Sequence, residues 1–373
     1  MFNKNICFFT SSDGWGGLER NMLVMARWMR EAGHHVDVVL PAGTLAWQQG
    51  LDWGLSLIPA PSISRTGGKR HARSWARGRK ADVVWIRDRR DLDWGGHLAN
   101  SLGAALVMQQ AMQIPRPKNM PWHWVRYRRV DAWVAGLDWL KAECVAKTPM
   151  SEHRCHVLPL PLDERWFTTK SIDKREARQS LGLRLPPDVF LMGTVGRLDA
   201  GKGQRDALYA LAQLPPSFHW LFVGDNTTNN GTDERRVLLE MAGNLGILER
   251  AHFLPGQADV LPVHDALDGF AMTSSAETIG TVTLEALARR VPVVGTDAGG
   301  TSEILGADRG MLYASGDVSA LIEAVQELAM RPAEQRATST EPGHDYVQSC
   351  RAQHLVPAWN ELLNTLVQSR RKA

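Results

Sequence analysis

The chain is poor in the residues that mark several protein classes. Its four cysteines, Cys7, Cys144, Cys155 and Cys350, are too few and too scattered for a disulfide scaffold, and no C-x-x-C pair offers a thiolate zinc site. That usage fits a reducing cytoplasm. No run approaches the roughly 18 apolar residues of a membrane-crossing helix. The opening stretch, MFNKNICFFTSSDGWGG, turns polar after Phe9 and has neither the apolar length nor the small-residue cleavage site of a signal peptide. Neither sign of charge dominates: 43 Lys and Arg against 40 Asp and Glu leave a net +3. So mild an excess does not call for a nucleic-acid partner. Short-period repeats and low-complexity tracts are missing as well. The expectation is a cytoplasmic protein, peripheral at most on the inner face of the cytoplasmic membrane.

What is present points to two domains. A length of 373 residues with 44% hydrophobic content suits two cores of ordinary size. Of the 14 Trp, 12 lie between Trp15 and Trp166, and Arg65 to Arg90 carries ten Lys and Arg against only Asp82 and Asp88. The later half is evenly charged. Ile6–Thr10 reads as a strand, Asp13-Gly14-Trp15-Gly16-Gly17 as a glycine loop, and Leu18–Ala32 as a helix that Gly33 stops. Val36–Leu40 is the next strand, so the chain opens as a doubly wound sheet. Further strands are expected at Ser56–Ile58, Asp82–Ile86, Ala105–Gln109, Ala132–Ala135 and His156–Leu158. Leu158-Pro159-Leu160-Pro161-Leu162-Asp163 reads as a linker, because alternate prolines suit neither a helix nor a central strand. A second α/β unit follows, with strands at Val189–Val195, Trp220–Val223, His252–Leu254, Gly269–Met272 and Pro292–Gly295. Its helices are expected at Lys202–Gln213, Glu234–Leu245, Thr283–Ala288 and Val318–Met330. The boundaries are residues 1–163 and 164–345, with a helical segment over about 346–373 packing back on the first domain.

Two loops carry candidate chemistry. Gly196-Arg197-Leu198-Asp199-Ala200-Gly201-Lys202-Gly203 nearly spells a P-loop, but Gly203 stands where a magnesium-holding Ser or Thr is needed, which argues against an ATPase or kinase. Glycines with an Arg and a Lys between strand and helix suit an anion held by backbone N–H groups and two cations. An ordinary βα turn with a surface Arg and Lys explains the segment equally well. In the second loop Glu277 and Glu285 are eight residues apart. On one continuous helix they would lie about 12 Å apart along the axis, too far for a glycosidase pair. Gly280 and the β-branched Thr281-Val282-Thr283 predict a break, with the helix starting near there. Glu277 then sits in the loop and Glu285 in the first turns, around free helix N–H groups. The plainer alternative is a solvated Glu277 and a Glu285 favoured by the helix dipole.

The E-x7-E pattern from Glu277 to Glu285, continued by ALARRVPVVGTDAGGTSEIL, resembles retaining GT-B glycosyltransferases, the glycosyl transferases group 1 or family 4. VGRLDAGKGQ resembles that family's G-R-L-x-x-x-K-G element, and Gly16-Gly17-Leu18-Glu19-Arg20 its N-terminal glycine loop. WLFVGD and PLDERWF fall in the same order. The resemblance is strong over residues 190–305, moderate over 6–40 and faint over 50–130. It implies an α/β GT-B fold, two Rossmann-like α/β/α domains with parallel sheets facing a cleft. It implies a metal-independent, cofactor-free hexosyltransferase that retains anomeric configuration, with a nucleotide diphosphate sugar, UDP- or GDP-linked, as donor. By the same resemblance Arg197 and Lys202 bind the diphosphate and stabilise the leaving group. Glu277 contacts donor-sugar hydroxyls, backbone amides around Ile279, Gly280 and Thr281 cap the diphosphate, and Glu285 holds the ribose. Gly16, Gly17 and Gly196 let backbone approach the phosphates. Two departures stand out. The family's E-x-F-G is here Glu277-Thr278-Ile279-Gly280, without the aromatic. A mid-domain His is replaced by Arg87 or Asp88, which with Trp15 are the candidates for acceptor binding.

Other features point less sharply. Glu152-His153-Arg154-Cys155-His156 is read as a surface strand rather than a metal site. His34-His35 is read as a capping turn, and His123, His219, His252 and His264 as single structural histidines. Arg116 to Arg129 holds five Lys and Arg and no acid, with Trp122, Trp124 and Tyr127 interleaved and Trp133 and Trp139 following. With Arg65–Arg90 this predicts a cationic, Trp-rich face suited to an anionic or lipid-linked glycan acceptor, such as lipopolysaccharide core or another cell-surface polysaccharide, and to peripheral contact with an anionic membrane. A solvated basic face over core Trp residues is the competing explanation. No nucleic-acid partner is expected. A non-catalytic glycan- or lipid-binding module on a GT-B frame and an NAD-dependent Rossmann enzyme are the competing functions, the latter lacking G-x-G-x-x-G.

Overall fold

The computed structural model describes residues 3–60, 68–226 and 233–372. The first residues of the basic stretch, 65–67, lie outside the described residues. The chain divides into two compact units. One comprises Met1–Asp163 with Ser349–Ala373, the other Glu164–Gln348.

The first unit is built on seven parallel strands, β1 Asn5–Phe9, β2 His35–Leu40, β3 Ser56–Pro59, β4 Val83–Ile86, β5 Ala105–Gln109, β6 Ala132–Ala135 and β7 Cys155–Val157. Their order is β3-β2-β1-β4-β5-β6-β7. All four residues of β4 are buried, as a parallel strand covered by helices on both faces requires. The second unit carries six parallel strands, β8 Phe190–Val195, β9 Phe218–Val223, β10 Ala251–Leu254, β11 Gly269–Met272, β12 Val293–Thr296 and β13 Met311–Tyr313, ordered β10-β9-β8-β11-β12-β13. Each unit is thus a doubly wound α/β layer structure.

Apolar runs predicted most strands to within a residue or two. They missed β13, whose three residues give too short a signal, and several helices, among them Leu45–Asp52, Asp138–Lys147 and Leu92–Leu102. Gly95 and Gly96 interrupt the pattern of Leu92–Leu102, and both sit against close side-chain neighbours. A Cβ on Gly95 would lie 3.0 Å from Ile86 Cγ2, and one on Gly96 2.9 Å from Arg129 Cδ. The Glu152–His156 segment is not one strand. Glu152–Arg154 is a 3-10 turn, and Cys155 begins β7 with its Sγ 3.9 Å from that of buried Cys144. Trp28, Trp85, Trp94, Trp133 and Trp166 are each 2% exposed or less, and Trp15, Trp47, Trp53 and Trp75 pack partly buried against the core, so nine of the twelve Trp serve packing.

The helix Ala352–Lys372 completes the first unit. Leu355, Trp359, Leu363 and Val367 recur at helical spacing and join the buried cluster around Phe8 and Trp85. The Trp359 ring lies 4.0 Å from Trp85, which in turn stacks 4.8 Å from Phe8. His34, expected in a capping turn, is buried in this seam. Its Nδ1 accepts the Lys4 amide at 3.2 Å, so Nε2 carries the proton and donates to Asn360 Oδ1 at 2.7 Å. Arg370 clamps Asp131 through two bonds of 3.0 and 2.9 Å. Trp359→Ala should therefore cost about 3–5 kcal/mol, a full aromatic deletion from a core. Urea unfolding of the first unit checks this; a loss under 1 kcal/mol would show that the seam contributes little.

Candidate functional site

In each unit the strand order reverses once, between β1 and β4 and between β8 and β11. Loops leaving the carboxyl ends of those strands diverge over opposite faces, which is where α/β sheets hold ligands. The segments singled out in the sequence lie at these two points.

In the second unit β8 runs into the loop 196–203. Asp199 Oδ1 accepts the Gly201 amide at 3.0 Å and opens the 3-10 turn Ala200–Lys202. Gly203 follows with φ +70, and a Cβ there would lie 2.0 Å from the Thr273 carbonyl oxygen. Only glycine fits so close a crossing. Thr273 Oγ1 donates to the Lys202 carbonyl at 2.8 Å, and Ser274 Oγ to that of Gly201 at 3.3 Å. These bonds sew the loop after β8 to the loop after β11. The result is an ion pair across the switch point, Lys202 Nζ to Glu277 Oε2 at 2.6 Å, with side chains 28% and 16% exposed. Arg197, in the same loop, is exposed, with Gln204 Nε2 donating to its carbonyl at 2.9 Å.

The predicted break between the two glutamates is present. Gly280 is the N-cap of the helix Thr281–Ala288, and no side chain caps it. Glu277 lies in the preceding loop. Its carbonyl accepts the Gly300 amide at 2.9 Å, and a Cβ on Gly299 (φ +55) would sit 2.2 Å from that same oxygen. Ile279 is buried and Thr281 half-buried at the helix start. Glu285 turns inward. It is buried, with Oε2 3.8 Å from Nε2 of His264, a fully buried ring with no hydrogen-bond partner on either nitrogen. His264 is thus next to a site residue, which its lone position in the sequence could not reveal. His219 and His252 are not single either: their rings stack, with Nδ1 and Nε2 2.9 Å apart.

In the first unit the loop after β1 is organised by Glu19, which the sequence reading passed over as part of a motif. Its carboxylate accepts Ser12 Oγ at 2.6 Å and the Gly16 amide at 2.9 Å, closing the loop onto the start of the helix Gly17–Glu31. A Glu three residues after the N-cap was the available signal. Gly16 is extended, with φ −159. Trp15 packs half-buried against the core with Arg20 5.6 Å from its ring centre.

Arg87 and Asp88, the candidates for acceptor binding, face inward. Arg87 is 2% exposed and donates to the Leu18 carbonyl at 2.8 Å, and burial lowers its guanidinium to about 10. Asp88 caps the turn Arg89–Asp91 by accepting the Arg90 amide at 2.7 Å and pairs with that residue's guanidinium. Asp91 and Asp93 form a D-x-D spacing, but Asp91 is buried on Ser11 while exposed Asp93 pairs with Arg126 at 2.9 Å. Among the described residues no group of three or more His, Cys, Asp or Glu converges as metal ligands would.

Two outcomes follow from this geometry. Gly299→Ala should cost about 1–3 kcal/mol in urea unfolding, because a left-handed alanine would also collide with the Glu277 carbonyl; an unchanged midpoint would show that the loop shifts freely. Burial raises the Asp91 carboxyl to about 6. A carboxyl raised on folding costs stability when ionised, a cost fully present above about pH 6 and relieved as pH falls towards about 4. Relative to Asp91→Asn, the protein should therefore gain up to about 3 kcal/mol between about pH 7 and about pH 4. A pH-independent difference would show that Asp91 is not raised.

Residues 173–341 match the sequence family described as Glycosyl transferases group 1. The chain is 33% identical over 172 residues to the putative teichuronic acid biosynthesis glycosyltransferase TuaC of Bacillus subtilis (strain 168), covering 45% of this chain and 40% of that protein. It is 32% identical over 147 residues to the lipopolysaccharide core biosynthesis glycosyltransferase LpsE of Rhizobium meliloti (strain 1021), covering 39% of this chain and 41% of that one. The match thus spans about two fifths of the length of these curated relatives. The crystal structure of Anabaena HepE in complex with UDP and glucose superposes with a TM-score of 0.82 at 21% identity, over 97% of this chain and 100% of that one. WaaG, a glycosyltransferase involved in lipopolysaccharide biosynthesis, gives 0.67 at 19% identity over 96% and 99%. Residues 173–341 thus match the model of glycosyl transferases group 1, and the chain shares the two-sheet fold of these solved glycosyltransferases, the GT-B fold.

Proposed function

We propose that the protein is a retaining glycosyltransferase that moves a hexose from a UDP- or GDP-sugar to a glycan or lipid-linked acceptor. The observation that carries this reading is the Lys202–Glu277 pair, held at the switch point near the uncapped start of the helix Thr281–Ala288, with exposed Arg197 in the same loop as Lys202. Two cations and free helix amides suit a diphosphate, and a carboxylate between them suits sugar hydroxyls. HepE, of the same fold, was crystallised with UDP and glucose. Among the curated relatives are glycosyltransferases of teichuronic acid and lipopolysaccharide core biosynthesis.

On this reading breaking the anomeric bond leaves negative charge on the departing phosphate. Lys202, Arg197 and the amides of Ile279–Thr281 stabilise that charge where it develops. Glu277 orients the sugar through its hydroxyls and holds Lys202 in place before the donor arrives. Glu285, set by its helix, accepts ribose hydroxyls. No metal or cofactor is assigned a role. The acceptor hydroxyl attacks the anomeric carbon on the face from which the phosphate departs, forming the new glycosidic bond as the sugar–phosphate bond breaks and passing its proton to the departing phosphate oxygen, so configuration is retained.

The purified chain should be stabilised by UDP or GDP but not NAD, by about 2.7 kcal/mol at a hundredfold the dissociation constant. Arg197→Ala and Lys202→Ala should lose that gain. Glu277→Gln should keep or raise nucleotide affinity, because it releases Lys202, while transfer falls at least about a hundredfold. Stabilisation by NAD alone would overturn the proposal. Full nucleotide and glycan binding with no turnover would favour a non-catalytic module.

A further inference from the structure

We infer that the surface formed by residues 112–128 of the first unit is a docking ledge for an anionic lipid bilayer. Eleven large hydrophobic side chains are prominently exposed among the described residues, and five of them, Met112, Met120, Trp122, Trp124 and Val125, fall within this one stretch. Trp122 and Trp124 are 56% and 59% exposed. They project from the short helix Pro121–Tyr127, whose opposite side is fixed in the core by Tyr127 stacked 5.6 Å from Trp133. The exposed Trp pair is therefore presented on a rooted element. Isolated surface apolar residues need no explanation, but a cluster of this composition does.

Charge selects the occupant. Arg116, Lys118, Arg126 and Arg128 lie in the same stretch, which contains no acid, and Arg129 follows it directly. Asp93, from the neighbouring helix Leu92–Leu102, is the acid that meets them, taking Arg126 at 2.9 Å and Arg129 at 3.9 Å. Arg116, Lys118 and Arg128 make no ion pair among the described residues, which leaves three cations beside the exposed Trp and Met side chains. Lys118 and His123 both lie below their ordinary values, through burial first and then the surrounding cations. Tryptophans able to enter the headgroup boundary and uncompensated cations around them are the two signals that stable, reversible binding to an anionic leaflet requires. An apolar protein partner would leave those cations unmatched. Trp133 and Arg87, which belong to the same sequence stretches, are buried and take no part.

The inference concerns a surface and stands independently of the nucleotide reading. Its test is flotation of the full chain with vesicles of phosphatidylcholine alone and of phosphatidylcholine mixed with phosphatidylglycerol. Binding should be at least tenfold stronger to the anionic vesicles and should fall with added salt. Trp122→Ser with Trp124→Ser should weaken it at least tenfold, and Arg116→Glu with Arg128→Glu should remove the anionic preference. Thermal midpoint and response to UDP or GDP should be unchanged in both variants, which separates lost docking from misfolding. No vesicle binding, or equal binding by wild type and the Trp variant, would overturn the inference. So would a wild-type dimer in sedimentation that the Trp variant abolishes, which would make the ledge an interface between copies.

Discussion

Within each sheet every strand runs in the same direction, and much else follows from that constraint. Parallel strands cannot be joined by tight hairpins, so each connection crosses a face of the sheet before the next strand begins. All loops that leave the strands therefore gather along one edge. Where the strand order reverses, neighbouring loops part to opposite faces and leave a gap that neither fills. In the second unit that gap holds Lys202 and Glu277, 75 residues apart in sequence yet in direct contact. In the first it holds Ser11 against Asp91 and Leu18 against Arg87. The same topology yields a polar cluster twice, although the residues share no pattern.

What differs is how each gap is supplied. In the second unit the polar groups remain partly open to solvent, and the backbone is drawn tight beneath them by Gly203 and Gly299, where any side chain would collide with a carbonyl. In the first unit the carboxylates and the guanidinium are consumed internally. Glu19 serves Ser12 and Gly16, Arg87 serves Leu18, and Asp88 serves Arg90. A buried guanidinium bonded to a carbonyl is costly to strip of its partner, which makes that loop a rigid wall. One unit presents reactive groups, and the other spends its groups on holding a shape.

The fold was legible because parallel strands read as short continuous apolar runs and their helices as periodic ones; β4, Val83-Val84-Trp85-Ile86, is unmistakable. The helix Leu92–Leu102 was not, because Gly95 and Gly96 serve packing that only the third dimension reveals. At the site, Lys202, Glu277 and the break at Gly280 could be read from loop composition and β-branching. The inward turn of Arg87, the burial of Glu285 against His264 and the bracing role of Glu19 could not. Each depends on which way a side chain points from a backbone whose path is set by distant strands. The Trp-rich stretch shows both halves of the lesson: composition located it, while burial alone separated Trp133 in the core from Trp122 and Trp124 on the surface.

The seam around Trp359 bears on how the chain is made. Synthesis delivers residues 1–163 first, with all seven strands of their sheet, yet the core of that unit lacks Leu355, Trp359, Leu363 and Val367 until the last segment appears. The second unit, made later, draws the buried cluster around Leu208 and Trp220 from residues within its own span. Completion of the first core therefore comes after translation of the second unit. The sheet made first waits with Phe8 and Trp85 incompletely covered, while the unit encoded in the middle closes around itself. Only when Ala352–Lys372 leaves the ribosome does the first sheet gain its final layer.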